Sequence, residues 1–189
     1  MAALVLTVTL AALAGAVAIP AQERVNPRAE ALKGFNDRVS KYIELKKHLE
    51  DALPPLHTSS DATQIAERGK ALQEAIRAAR VEAKPGDIFT PDVANQFRTI
   101  IETDLKRRSV RSALAAMQEV PQKFTLKINA EYPPGAPLAT VPPLLLDSLQ
   151  RLPDGVEYRL LGRHLILRDA TANLILDYVL NVVPPLRHG

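Results

Sequence analysis

Five ionisable side chains near the end of this chain have the spacing that chemistry needs. Glu157, Arg159, His164, Arg168 and Asp177 alternate with Leu161, Ile166 and Ile175, which sets them on one face of a small sheet if the segment is built of strands. A histidine with two carboxylates nearby is the raw material of general acid-base work. The same residues also make ordinary cross-strand ion pairs. A hairpin sets Glu157 opposite Arg168, and Arg159 then lies diagonally across Ile166 from Asp177. Pairing is the simpler use, so Arg159, His164, Arg168 and Asp177 are read as a candidate binding surface, with no catalytic residue assigned.

A second constellation is Glu44, His48 and Asp51, at i, i+4 and i+7 of a helical pattern. One stripe then carries three donors that suit zinc or nickel. That stripe lies opposite the apolar seam of the same helix, and Lys41 and Lys47 compete for its carboxylates. It reads as a solvated face, and no metal or cofactor is expected. His57, in the following loop, is the one histidine able to fold back onto it.

Lys106-Arg107-Arg108 with Arg111 is the densest basic run, a shape for phosphates, anionic lipid headgroups or an acidic envelope polymer. Glu102 and Asp104 flank it, and aromatic residues make up only 4% of the chain. The 24 Lys and Arg are interspersed with 21 Asp and Glu for a net charge of +3, so nucleic acid is not an expected partner. The absence of cysteine excludes disulfides, thiolate metal sites and a thiol nucleophile. No Gly-x-Ser-x-Gly elbow, Gly-rich phosphate loop or His-Glu-x-x-His is present. Two classes of function remain. One is a non-enzymatic envelope protein that binds a partner protein or surface polymer, with peripheral membrane association compatible. The other is an envelope hydrolase whose site is assembled from scattered Arg, His and carboxylate residues. The recognisable patterns all serve folding, which favours the first.

The elements that must position these residues change character near Pro121. Leu32, Phe35, Val39, Tyr42, Leu49 and Leu53 follow helical steps of three and four, with Lys46 in the one missing place. Pro54-Pro55 stops that helix. Ser59-Ser60-Asp61 caps a second pattern, Ile65, Leu72, Ile76 and Ala79, which predicts an antiparallel hairpin. Thr90-Pro91-Asp92 then looks like an N-cap with Pro at the first helical position. Phe97, Ile100, Ile101 and Leu105 follow, with a bend near residues 106–109 before Val110, Leu114 and Met117. The expected fold is α+β: an N-terminal antiparallel bundle of three to four helices over residues 22–120, then a small antiparallel β-meander of three to four strands over residues 121–189.

In the second region Phe124 to Asn129 alternates with period two and predicts a strand. Five prolines between Tyr132 and Pro143 predict an extended connector, and its Pro134-Gly-Ala-Pro137 spacing reads as stiffness. Thr140 is the expected cap of a short helix whose Leu144, Leu145, Leu146, Leu149 and Leu152 cover the sheet. A two-residue turn at Gly162-Arg163 places Leu160 opposite Leu165, Tyr158 opposite Leu167 and Glu157 opposite Arg168. A second turn within residues 170–173 places Leu176 opposite Leu167 and Tyr178 opposite Leu165. Tyr158, Leu160, Leu165, Leu167, Leu176 and Tyr178 then share one apolar face.

The strings Tyr132-Pro133-Pro134, Thr140-Val141-Pro142-Pro143-Leu144-Leu145, Glu157-Tyr158-Arg159, Gly162-Arg163, Leu165-Ile166-Leu167-Arg168-Asp169, Ala172-Asn173-Leu174-Ile175 and Asp177 together resemble a group of exported bacterial proteins of unassigned function. That resemblance implies export and no particular activity. The meander by itself is similar to the small C-terminal sheet of several periplasmic envelope-stress and metal-homeostasis proteins. Export is also expected from Met1 to Ala21, an uncharged Ala, Leu and Val stretch ending in small residues before Gln22-Glu23-Arg24, which reads as a signal peptide over residues 1–21. An uncleaved anchor is the rival reading of that stretch.

Overall fold

The computed structural model describes residues 26–55, 62–106, 124–133 and 141–185. Several expectations lie outside the described residues: the leader, His57, the 59–61 cap, the basic run beyond Lys106, the helical pattern through Val110, Leu114 and Met117, the Pro134–Pro137 spacing and the Thr140 cap.

Helix α1, Pro27–Ala52, begins as its sequence demands, with the Asn26 side chain accepting the Arg28 N–H and proline in the first turn. Extended Leu53 and the prolines behind it end the helix. Phe35, Val39, Tyr42 and Lys46 are buried along the seam, and Leu32, Leu49 and Leu53 pack half-buried at its ends. Helix α2, Ala62–Ala79, buries Leu72, Gln73 and Ile76 but leaves Ile65 exposed. Helix α3, Pro91–Asp104, starts after Thr90, whose side chain makes no capping bond. Its Val93, Phe97, Ile100 and Ile101 face inward.

Strands β1 (Val156–Leu161), β2 (His164–Asp169) and β3 (Leu174–Val179) form an antiparallel meander. Gly162 takes the left-handed conformation that a two-residue turn requires, and the β1–β2 register is the expected one. The β2–β3 register is not. Leu165 faces Val179, Ile166 faces Tyr178 and Leu167 faces Asp177, whereas Arg168 faces Ile175. Leu176 is therefore the extra residue of a β-bulge. The bulge moves Tyr178 to the far face, puts Val179 in its place and brings Asp177 round to the helical side.

The mixed α+β architecture is as expected. The helices share one core with the sheet: Phe35 from α1, Phe97 from α3, Phe89 from the loop before α3 and Tyr158 from β1 meet with ring centroids 5.2–6.5 Å apart. Three of the chain's four phenylalanines are spent there, which marks this cluster as the centre of packing. The leucine-rich helix is a single turn, α4, Pro143–Leu146. Leu145 and Leu149 reach the core, while Leu144 and Leu146 stay 47% and 43% exposed, so α4 closes one margin of the sheet.

Phe124 to Asn129 keeps its alternating burial but is not a ladder strand. Asn129 turns left-handed, and the chain beside it bonds to β3 only around Ile175 and Asn173. Phe124, Leu126 and Tyr132 cover Leu161, Ile166 and Ile175 on the second face. The sheet thus has two apolar faces instead of the expected one.

Candidate functional site

The N-terminal half of β1 borders a groove of about 620 Å³. Val141, Leu146, Leu152 and Val156 supply its apolar walls, and Asp147, Gln150, Arg151 and Glu157 supply its polar ones. The tight turn after α4 carries Asp147 and Gln150 to this position, and strand alternation turns Glu157 outward between buried Val156 and Tyr158. The Tyr158 hydroxyl donates to the Gln150 carbonyl at 3.0 Å, and the Asn36 amide donates to the Gln150 side chain at 3.3 Å. The first bond ties the rim to the core and the second ties it to the outer side of α1. Burial pushes the Tyr158 phenol far up.

Glu157 joins the groove to the expected charged cluster. Its carboxylate accepts two bonds from Arg159, at 2.7 and 2.6 Å, and one from Arg168 at 2.5 Å. Arg168 also donates to the Asn173 side chain at 3.1 and 2.7 Å and stacks 5.2 Å from the Tyr132 ring centroid. Burial raises the Glu157 carboxyl, but the hydrogen bonds from Arg159 and Arg168 outweigh it and hold the group below its usual range. Glu157 is a fixed anion between two fixed cations. Such a group orients a partner and has no proton to give.

Of the four residues expected on this surface, the structure brings Arg159 and Arg168 together. His164 stands at the other end of β1, where its Nδ1 accepts the Asn181 N–H at 3.0 Å. Asp177 is not on the surface at all. The bulge turns it inward, fully buried, where it accepts from the backbone N–H groups of Gly86 (3.0 Å), Ile88 (2.8 Å) and Phe89 (2.7 Å) and from its neighbour Tyr178 (2.8 Å). The expected Arg159–Asp177 pairing is replaced by Arg159–Glu157. A histidine whose Nδ1 is occupied by a backbone N–H, with Asp177 facing the helices, does not form an acid-base relay.

Glu44, His48 and Asp51 are exposed on the outer stripe of α1. Among the described residues no group of three or more His, Asp or Glu is placed to hold a metal ion.

Sequence reasoning missed the buried ionic centre. Lys46 reaches Asp169 at 2.8 Å, and Asp169 also accepts from the Tyr42 hydroxyl at 2.6 Å and the Ala172 N–H at 2.7 Å. The one signal was Lys46 in an apolar seam, since a lysine there must find a carboxylate. Nearby, Arg80 lies 5.3 Å from the Tyr42 ring centroid and donates to the Leu176 carbonyl and the Asn129 side chain. Burial, followed by the Asp169 charge, pushes the Tyr42 phenol far up. These groups clamp α1 and the end of α2 to the sheet, away from the groove.

No family model, curated protein or solved structure matches the chain.

Proposed function

We propose that this is an exported, non-enzymatic protein of the periplasm or cell envelope that binds a partner protein or surface polymer in the groove between α4 and β1. The observation that carries the reading is the groove itself. Half-exposed Leu146 forms part of its wall, and the fixed Glu157–Arg159–Arg168 cluster adjoins it. An apolar pocket with charges held in place at its rim is built for recognition. The shifted groups at the groove move away from neutral pH in both directions, Glu157 down and Tyr158 up, which favours binding over hydrolysis. Export rests on the uncharged stretch from Met1 to Ala21. Among the described residues no helix is long and apolar enough to cross a membrane. In this reading the N-terminal helical region is an antiparallel bundle of three to four helices that supports the sheet beside the groove.

The test is site-specific photo-cross-linking from position 147 in the envelope of the native host. A discrete cross-linked product is expected, and Leu146→Asp should abolish it while leaving the melting temperature within about 2 °C, since the side chain is already half in water. Turnover of a substrate by the purified protein, lost on His164→Ala, would replace binding by the hydrolase reading. Sedimentation with anionic vesicles and no protein adduct would replace it by a membrane surface.

A further inference from the structure

We infer that His164 is a proton-controlled latch: the neutral ring holds the C-terminal strap, residues 180–185, against the β1–β2 turn, and protonation releases it. The ring accepts the Asn181 N–H at Nδ1, 3.0 Å away, so Nδ1 carries the lone pair and Nε2 the hydrogen. The rest of the strap is held by bonds that do not titrate near neutrality. The Val183 N–H donates to the Arg163 carbonyl at 3.2 Å, Arg163 Nε donates to the Val183 carbonyl at 2.7 Å, and Arg98 donates to the Leu180 carbonyl at 3.4 Å. These contacts seat Val182 and Val183 in the helical core.

A second proton at Nδ1 turns the acceptor into a donor aimed at a donor. It also adds a cation beside one already present, Arg163 in the turn itself. No carboxylate among the described residues contributes to the ring's titration, which burial and then Arg163 both lower. The ring therefore binds the proton more tightly with the strap released than with it docked. By linkage, strap docking is complete above the free-histidine value and weakens as pH falls through it. The ring is only half-buried, so protons reach it without prior unfolding. Acidification thus uncovers two valines at the end of the fold opposite the groove.

Amide exchange at Asn181 and Val183 tests this, in the full chain, against His164→Asn, whose Oδ1 takes the place of Nδ1 and cannot titrate in this range. The wild-type exchange rate divided by that of the variant at the same pH cancels intrinsic chemistry. The ratio should rise about tenfold per pH unit below about 6.5 and level off once the docked ring also titrates. A ratio that stays flat between about pH 7.5 and 5 overturns the latch. If His164→Asn does not fold, NMR titration of the wild type decides: the His164 ring and the Asn181 amide must move together, and an amide that stays still while the ring titrates also overturns it.

Discussion

Replacing Asp177 with alanine should cost more stability than any surface change on the sheet, because one carboxylate closes the hydrogen bonds of a whole loop. The side chain is fully buried, and the N–H groups of Ile88 and Phe89 donate to one of its oxygens at 2.8 and 2.7 Å. Those of Gly86 and Tyr178 donate to the other, at 3.0 and 2.8 Å, in partly buried positions where water can replace the lost acceptor. Hydrogen bonds to an ionised group contribute about 1.5–3 kcal/mol each, so the two buried bonds alone give about 3–6 kcal/mol. A domain of ordinary stability, about 5–15 kcal/mol, would be left marginal. The loop also seats Phe89 5.4 Å from both Phe35 and Phe97, so its release loosens the aromatic centre. Asp177→Asn keeps one acceptor oxygen and should lose roughly half as much. Urea unfolding followed by circular dichroism measures both, and amide exchange at Ile88 and Phe89 should accelerate in parallel. An Asp177→Ala protein within about 1 kcal/mol of the parent would refute the reasoning, since no fully buried anchor is lost that cheaply.

Lys46→Met should destabilise by about 3–5 kcal/mol, because it leaves Asp169 buried without its cation, and adding Asp169→Asn should recover part of the loss in a double-mutant cycle. Val39→Asp places an unpaired charge in the α1 seam, where the residue is buried, and several kcal/mol should be lost on chemical denaturation. Glu157 titrates lower in the folded chain than in the unfolded one, so the stability it contributes is present above its unfolded value, about 4.5, and is lost as pH falls through the folded one. Glu157→Gln should therefore differ from the parent most at neutral pH, and the two unfolding curves should converge in acid.

Local physics alone decided much of this protein. Asn26 and Pro27 start α1 and Pro54-Pro55 end it, because capping and proline geometry act within a turn or two of the chain. Gly162 closes the first hairpin in its expected register for the same reason, since a two-residue turn leaves no freedom in pairing. The Glu157–Arg168 pair followed directly from that register. The second hairpin depends on a bulge, and no pattern of period two encodes where an extra residue enters. One residue of slip moved Asp177 from an imagined binding surface to the buried loop anchor and sent Tyr178 the other way. The partners of Lys46 and His164 were equally hidden, because Asp169 lies 123 residues from the one and Asn181 lies 17 from the other. The groove, too, exists only after α4 stops at one turn, leaving Leu146 half in water instead of in the core. Side-chain types and short-range spacing determined which elements form; tertiary packing decided which charged groups became anchors, which became a rim and that His164 meets the Asn181 N–H.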